Sequence, residues 1–317
     1  MNEVDMNEYD VAVVGGGAAG LSAALVLTRA RRRVVVVDAG APRNAPAAHM
    51  HGFLGWDGAP PSTLLARGRD EVASYGGELV DGTVTAATPA EDGTSFEAVL
   101  GDGRRLRARR LLVTTGLRDE LPDVPGVVER WGRDLLHCPY CHGYEVRDQP
   151  LGVLGGTPEA VQHALLVRQW SPDVVYFPHT DEPTTEEREL LLASAVGVVD
   201  GPVARLVVQD DRLTGVELGS GRLVPRAAVF VRPRMVPNAD LLTSLGCAAH
   251  DNGWVVADGV GRTSTPGVWV AGNAVNPRAQ VVTAAGEGSA AAIAINTDLV
   301  EQDAALAVDR LRAGLPL

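Results

Sequence analysis

Two cysteines and two histidines cluster in one short stretch of the sequence. Residues 137–145 read HCPYCHGYE, so Cys138 and Cys141 are two residues apart and each has a histidine on its outer side. Cysteines at this spacing bind a metal or form a reversible disulfide, and histidine moves protons near neutral pH. The stretch therefore indicates half of a metal site, a redox pair or a structural feature without chemistry.

The number of ligands favours the redox pair. A zinc site usually takes four ligands, and this stretch with one flanking histidine offers three. The third cysteine, Cys247, is distant in sequence, and we expect it to be a buried apolar side chain. We therefore predict no metal site. We predict Cys138 and Cys141 as catalytic cysteines and His142 as their acid–base partner, with His137 a weaker candidate.

Pro139 predicts how the pair is held. Proline is favoured in the first turn of a helix, which would leave Cys138 at a helix N-terminus. A thiol in that position has a lowered pKa and forms a thiolate readily. The residue between the cysteines thus supports a reactive pair.

The composition is that of a globular protein with a sizeable core. The chain has 317 residues, of which 45% are hydrophobic and 21% charged, and this length suggests two domains. The net charge of −12 argues against nucleic acid and anionic membranes as partners, because phosphates repel such a surface. The N-terminal MNEVDMNEYD lacks the apolar region of a signal peptide and no apolar run reaches membrane-spanning length, so we expect a cytoplasmic protein. In a reducing compartment, three cysteines do not indicate a structural disulfide framework.

A dinucleotide-binding pattern near the N-terminus is the first positioning element. In VAVVGGGAAG, Gly15 permits a tight turn, Gly17 lets the backbone approach a pyrophosphate, and Gly20 lets a helix pack closely on a strand. Asp38 follows Gly20 at the spacing of an acid that accepts hydrogen bonds from ribose hydroxyls. The predicted elements are a strand over 11–14, a helix over 18–28 and a strand over 34–37.

A segment near the C-terminus favours FAD as the dinucleotide. TPGVWVAGNAVN predicts a strand that ends in Ala-Gly-Asn, and a helix of small residues is predicted after Gln280. In flavoproteins with two dinucleotide sites, a similar segment closes over the flavin with a Gly-Asp pair. Asn273 replaces the acid here and forms hydrogen bonds without a charge. An ordinary βα unit of the same sheet is the alternative.

A second dinucleotide-type unit, LGVLGGTPEAVQHALLV from Leu151, departs from a working NAD(P) site. Thr157 stands where the second glycine belongs, and a side chain there obstructs approach to a pyrophosphate. The strand predicted over 174–177 is followed by PHTDEPTTEE, whose acids would repel a phosphate. We predict a retained fold with a degenerate site, and a divergent site that still binds NAD(P) is the alternative.

These units predict an α/β protein with two Rossmann-like dinucleotide-binding domains, the second inserted in the first. We expect an FAD-binding domain over 1–118 and 235–317 and a CxxC-bearing domain over 119–234. Proline-rich joins mark both crossings. Between them, GGELVDGTVTAATP and SFEAVLGDGRRLRARRLLVTTG predict an antiparallel β-meander.

The combined pattern resembles the low-molecular-weight thioredoxin reductase fold family over nearly the whole chain. The motifs that carry the resemblance are GGGAAG, TTG before the inserted domain, CxxC inside it, and AGN followed by Gln280 and Val281. His142 stands where the usual reductase has an acid, and the basic NADPH-binding cluster is missing. Both departures resemble the FAD-dependent dithiol oxidases that close disulfides in gliotoxin, holomycin and romidepsin biosynthesis.

The resemblance implies FAD as cofactor, a homodimer, and an enzyme that oxidises a small natural-product dithiol. Substrate would attack Cys138, Cys141 would pass the electrons to the flavin, and dioxygen would take them up as hydrogen peroxide while His142 moves protons. A reductase serving a thioredoxin-like protein with NAD(P)H or another donor, and a non-enzymatic flavin-binding redox sensor or interaction protein, stay open. The residues implied to contact FAD are Gly15, Gly17, Ala18, Ala19, Asp38, Ala39, Arg43, His51, Val84, Thr115, Gly116, Gly272, Asn273, Gln280 and Val281.

Overall fold

The computed structural model describes residues 7–315; the acidic stretch 1–6, interpreted above as no signal peptide, lies outside them. The strands are β1 (Asn7–Val14), β2 (Val34–Asp38), β3 (Glu78–Asp81), β4 (Val84–Pro89), β5 (Phe96–Leu100), β6 (Arg105–Val113), β7 (Leu117–Glu120), β8 (Leu135–Leu136), β9 (Leu151–Leu154), β10 (Val174–Phe177), β11 (Val196–Val198), β12 (Val203–Gln209), β13 (Arg212–Leu218), β14 (Leu223–Pro225), β15 (Ala228–Val231), β16 (Arg234–Pro237) and β17 (Val268–Val270). The helices are α1 (Ala18–Arg29), α2 (Pro61–Ser74), α3 (Val127–Arg130), α4 (Pro139–His142), α5 (Ala160–Val167), α6 (Thr185–Ala193), α7 (Asp240–Ser244) and α8 (Val281–Arg312), with a 3₁₀ turn at Gly272–Ala274.

The first strand lies inside a largely parallel sheet. Its order is β3-β2-β1-β6-β5-β4, with β17 parallel to β6. Side chains along β1 alternate between two cores, as expected for a strand that is covered on both faces. Val11 and Val13 pack with α1 and α8, whereas Ala12 and Val14 pack with β4 and β5.

The predicted meander is correct for β4, β5 and β6, which pair antiparallel. It is wrong for β3, which pairs parallel with β2 through Val36 and Leu79. A strand of four residues has too little side-chain alternation to distinguish parallel from antiparallel pairing. The helix α2 between β2 and β3 makes the crossover that a parallel pair needs.

A second parallel sheet has the order β11-β10-β9-β15-β8. One face packs against the antiparallel strands β12, β13 and β14, and the other against α5 and α6. The predicted fold class, α/β with two Rossmann-like domains, is confirmed. Strands β7 and β16, where the chain crosses between the two sheets' regions, pair with each other.

The chain divides into two compact units. Unit 1 contains residues 1–43, 62–118 and 236–317, and unit 2 contains 44–61 and 119–235. The sequence interpretation placed 44–61 in the FAD-binding domain, whereas its contacts group it with unit 2. A methyl group added at Gly132 would lie 2.7 Å from Cβ of Pro46. The side chain of His51 likewise approaches Glu145, as described below.

Candidate functional site

The cysteine pair follows the edge strand of the second parallel sheet. β8 pairs in parallel with β15, and the chain leaves it through His137 into Cys138. Cys138 is the N-cap of α4 and Pro139 is its first residue, as predicted. The amides of Cys141 and His142 both donate to the carbonyl oxygen of Cys138, at 3.1 Å. The two cysteines therefore lie in one tight helical turn at the carboxyl edge of the sheet.

Cys138 and Cys141 form a disulfide, with their Cα atoms 5.2 Å apart. Both are partly exposed, so the bond is accessible from solvent. The third cysteine, Cys247, is 7% exposed and its Sγ lies 3.4 Å from Oγ1 of Thr263. It is the buried small side chain that was expected.

His142 is half-buried directly after the pair. Burial lowers its pKa from the ordinary 6.5, Glu145 opposes that shift, and His51 adds to it. His51 itself lies between two carboxylates, with Nδ1 3.4 Å from Asp57 and Nε2 3.5 Å from Glu145. A histidine with a lowered pKa is neutral at pH 7 and can accept a proton from a thiol.

A second pair of histidines lies beside the disulfide. The ring centroids of His137 and His163 are 6.1 Å apart, and Nδ1 of His137 is 3.3 Å from the carbonyl oxygen of Val231. His163 is 5% exposed, and burial, the largest cause, lowers its pKa to about 3. Its ring packs edge-on to Phe230, with 6.0 Å between centroids. Sequence reasoning missed His163 because it is one polar residue on the apolar face of α5.

The second dinucleotide loop begins at the carboxyl end of β9, in the same unit. Gly156 has φ of +103°, and Oγ1 of Thr157 is buried and makes no hydrogen bond within the described residues. After β10, Nδ1 of His179 accepts a hydrogen bond from the Val203 amide at 3.1 Å. Oγ1 of Thr180 would lie 2.9 Å from a methyl group added at Gly156. Thr157 and Thr180 thus place side chains at this loop, where the fingerprint of a working site has a second glycine.

The first glycine loop has the geometry of a dinucleotide cradle. Gly15 has φ of +110°, and a methyl group there would lie 2.5 Å from the carbonyl oxygen of Thr114. A methyl group at Gly20 would overlap the carbonyl oxygen of Gly15, so the helix packs closely on the strand. At Gly17, by contrast, an added methyl would meet no described atom within 4 Å. Gly15 and Gly20 are thus fixed by close contacts, whereas Gly17 has open space beside its backbone.

Asp38 at the end of β2 faces this loop. Its Oδ1 accepts a hydrogen bond from the amide of Gly16 at 3.0 Å, and its Oδ2 pairs with Arg69 on α2. Each carboxylate oxygen can accept a further bond, so a ribose can still be bound. Arg69 was not predicted, because nothing in the sequence near it marks a site.

The C-terminal segment forms a second turn in unit 1. Gly272 has φ of +69° and its amide donates to Glu287 at 2.9 Å. The amide group of Asn273 donates to the carbonyl oxygens of Asn276 and Ala279, at 2.9 and 3.0 Å. A carboxylate could make neither bond. Asparagine at this position therefore holds the loop by donation, which the usual acid cannot do.

Two helix N-termini converge at these turns. Gly17, the N-cap of α1, has no side chain that could cap the helix, and the side chain of Gln280, the N-cap of α8, makes no capping bond within the described part of the chain. A methyl group at Gly272 would lie 3.0 Å from Cβ of Ala19, and one at Gly288 would overlap the Ala19 carbonyl. Uncapped amides at helix N-termini bind pyrophosphate well. The residues present therefore suit a dinucleotide.

Most of the other predicted FAD contacts lie in unit 1. Oγ1 of Thr115 donates to the carbonyl of Asn238 at 2.7 Å, and the amide of Asn238 donates to Gly116 at 3.0 Å. Val84 begins β4, half-buried against the core that also contains Val80. Those that lie along α1, after β2 or at the start of α8 are Ala18, Ala39, Arg43 and Val281. His51 is the exception, because it lies in unit 2.

Among residues 7–315, no three His, Cys, Asp or Glu side chains converge as a metal site. In the same range no helix combines the length and the apolar character that crossing a bilayer requires.

The chain is similar to known proteins over most of its length. A family model described as pyridine nucleotide-disulphide oxidoreductase matches residues 9–288. The chain is 30% identical over 314 residues to thioredoxin reductase sirT of Leptosphaeria maculans, covering 94% of this chain and 96% of the relative. It is 58% identical to HlmI, whose crystal structure matches with a TM-score of 0.93 over 99% of this chain and 98% of that one. An oxidoreductase from Agrobacterium tumefaciens is 36% identical, with a TM-score of 0.87 over 92% and 99% of the two chains.

The chain belongs to the pyridine nucleotide-disulphide oxidoreductase family. Within that family it is an oxidoreductase of the thioredoxin reductase-like type, and FAD is its cofactor. The recognised resemblance to thioredoxin reductase-like dithiol oxidases is confirmed at this level.

Proposed function

We propose that this protein is a dithiol oxidase that closes a disulfide in a small natural-product dithiol, with dioxygen as the acceptor. The observation that carries the proposal is the presence, in one unit, of an accessible Cys138–Cys141 disulfide and of a second dinucleotide loop with Thr157 in place of its second glycine. A pair that can be oxidised and reduced, beside a loop that departs from the NAD(P)H fingerprint, favours electrons that enter from the dithiol. The balance is one dithiol and one O₂ to one disulfide and one H₂O₂.

The cysteines divide the thiol exchange between them. A substrate thiolate attacks Cys138, forming a mixed disulfide and releasing Cys141 as a thiolate. The second thiol of the substrate then attacks the substrate sulfur that is bonded to Cys138. This step closes the substrate ring, releases Cys138 as a thiolate and leaves both enzyme cysteines reduced. Bound FAD supplies the two-electron acceptor that returns the pair to its disulfide.

His142 is the proton carrier in this scheme. Because burial lowers its pKa, the ring is neutral at physiological pH and can take the proton from an attacking thiol. The carboxylate of Glu145 favours the charged ring that follows. Once charged, His142 can return the proton to a leaving thiolate.

Within unit 1, we assign FAD binding to the two converging helix ends. The amides at the start of α1 and α8 would hold the pyrophosphate, and Asp38 would hold the adenosine ribose. The Thr115–Gly116 and Gly272–Asn273 turns would line the remainder. Direct contact of His51 with the cofactor stays a prediction.

A homodimer is part of the proposal. Large apolar side chains on α8 are exposed, with Ile293 59% and Leu311 63% accessible. Together with Val282 and Val300 they recur at intervals of about three or two helical turns, which places them on one face. Sedimentation of the purified protein measures the assembly, and a monomer at micromolar concentration would contradict it.

Three variants test the assigned roles with a dithiol such as dithiothreitol. Each cysteine variant keeps one thiol of the pair, so its adduct is sought with the cyclic disulfide product of the dithiol. In Cys141→Ser the Cys138 thiolate should open that disulfide, retain one sulfur as a mixed disulfide and release the other as a thiol. Cys138→Ser should form no such adduct, as read by intact-protein and peptide mass spectrometry. His142→Ala should slow flavin reduction by about 100- to 10,000-fold without preventing disulfide formation. Peroxide should appear with oxygen uptake in the wild type, more slowly in His142→Ala, and in neither cysteine variant.

The outcomes are distinguishable. An adduct on Cys141 in Cys138→Ser, together with no adduct on Cys138 in Cys141→Ser, would reverse the roles of the two sulfurs. Full oxidase activity in both cysteine variants would remove the pair from catalysis. Turnover that needs NADPH and a thioredoxin-like protein would establish the reductase instead.

A further inference from the structure

An open groove in unit 2 is lined in part by the turn that carries the two cysteines. It has a volume of about 740 Å³ and is lined by Tyr140, Gln162, Leu165, Leu166, Gln169 and Trp170. The leucines and glutamines come from α5 and the turn after it, whereas Tyr140 lies between the two cysteines in sequence. The catalytic turn itself therefore supplies one wall of the groove.

An aromatic pair joins the groove to the catalytic turn. The rings of Tyr140 and Trp170 pack edge to face, with 5.6 Å between centroids. Trp170 also presses on the residue after His142, because a methyl group at Gly143 would lie 2.8 Å from the indole ring. The carbonyl oxygen of Trp170 accepts a bond from the Asp148 amide at 2.8 Å. The indole is thus fixed against the CxxCH segment, with no part of the wall contributed by another unit.

The lining chemistry specifies the occupant. All six lining residues are uncharged, although the protein carries a net charge of −12. Two leucines and two aromatic rings offer apolar surface, and two glutamine amides can pair with carbonyl or amide groups. The volume is in the range of sites that bind small molecules. A folded protein partner would instead need a contact area of several hundred Å² on each side.

We propose that this groove binds the carbon skeleton of the dithiol substrate, and that the skeleton is uncharged, with an apolar ring and polar groups that can hydrogen-bond to the glutamine amides. This inference rests on the proposed function and adds the substrate class. The ring would stack on Trp170 and Tyr140 while one thiol reaches Cys138. Apolar contact in the groove then holds the substrate through both thiol exchanges, and the closed disulfide leaves.

Two dithiols that close the same ring size test the groove. 1,2-Benzenedimethanethiol and dithiothreitol both form six-membered cyclic disulfides, but only the first carries an aromatic ring. For Trp170→Ala and Tyr140→Ala, the ratio of kcat/KM for the aromatic dithiol to that for dithiothreitol should fall about tenfold. The fall should come from KM of the aromatic dithiol. Tyr140 is exposed, so its variant should fold even if the tryptophan variant does not.

Tyr144→Ala is the matched control. Tyr144 and Tyr140 are both 65% exposed, but Tyr144 lies outside the groove and stacks on Arg147, 3.8 Å from the ring centroid to the guanidinium carbon. Its variant should keep the wild-type ratio. An equal fall of the kcat/KM ratio in all three variants would refute substrate binding in the groove. An unchanged ratio in the Trp170 and Tyr140 variants would refute it as well.

A binding measurement separates this inference from the proposed function. The S,S′-dimethyl derivative of the aromatic dithiol cannot react, so calorimetry with the oxidised FAD-loaded enzyme reads the groove alone. Its affinity should fall about tenfold in Tyr140→Ala and hold in Tyr144→Ala, even if no dithiol is ever turned over. Groove variants that impair oxidation of reduced thioredoxin while leaving this affinity unchanged would identify a protein-docking surface and refute the small-molecule site.

Discussion

Replacing His163 with phenylalanine should make unit 2 more resistant to acid. His163 is 5% exposed, and its pKa falls from 6.5 to about 3, chiefly because burial penalises the charged ring. The unfolded chain therefore binds the proton first as pH falls. Stability that is fully present above pH 6.5 is lost progressively down to the folded pKa. Phenylalanine has a ring that packs on Phe230 but takes no proton.

The size of the effect follows from the two pKa values. pH 5 lies about 1.5 units below the pKa of His163 in the unfolded state, so the ring is protonated there, whereas in the folded state it is still neutral. The resulting loss is about 2 kcal/mol between pH 8 and pH 5, or about thirtyfold in an opening equilibrium. The variant should escape that loss, so its stability relative to the wild type should rise by this amount at pH 5.

Hydrogen exchange of the β9 and β15 amides, corrected for the intrinsic effect of pH, measures this difference in unit 2. His250→Phe is the control, because His250 is exposed and should leave the pH dependence unchanged. Parallel losses of protection in the wild type and His163→Phe from pH 8 to 5 would refute the reasoning. So would an NMR titration of the His163 ring near pH 6.5.

Two further predictions concern the FAD site. Asp38→Ala should weaken FAD binding by roughly 5- to 150-fold, because ribose hydroxyls lose a partner at a cost of roughly 1–3 kcal/mol. Asp81 approaches the same Arg69, and Asp81→Ala should leave FAD binding unchanged. Fluorescence titration of the apoprotein measures both affinities, and an equal loss in the two variants would contradict the role of Asp38. Gly288→Ala should lower both thermal stability and FAD retention because the added methyl overlaps α1, whereas Gly286→Ala should be neutral or stabilising by up to about 1 kcal/mol; matching melting temperatures for the two variants would contradict the close helix crossing.

The elements around the first glycine loop could be predicted because each carries its own local signal. Residues 11–38 contain an apolar strand, glycines with defined steric roles and a helix whose N-cap is a glycine. The structure has these elements where they were predicted. The turn at Cys138–Pro139 is equally local, since proline fixes the helix start. Local constraints of this kind need no knowledge of the rest of the fold.

The features that sequence reasoning missed depend on long-range packing. His163 and Trp170 reach the catalytic turn only because α5 folds back beside β8 and α4, and neither has a motif. The position of residues 44–61 in unit 2 depends on contacts such as His51 with Glu145, 94 positions away by number. The parallel pairing of β3 with β2 depends on the crossover through α2, and the alternation of side chains in β3 does not reveal that crossover. These are properties of the tertiary structure.

Anaerobic stopped-flow spectroscopy of the FAD-loaded enzyme tests the central claim most directly. Mixed with excess dithiol, the flavin should bleach through the Cys138–Cys141 pair, and admitting oxygen should restore its colour with one hydrogen peroxide for each disulfide formed. Mixed with NADPH or NADH, it should stay oxidised on the timescale of turnover, because Thr157 replaces the second glycine of the fingerprint that approaches a pyrophosphate. Bleaching by either nucleotide at ordinary enzymatic rates, on the order of 1–1000 per second, with none by dithiols, would contradict the oxidase and identify a reductase.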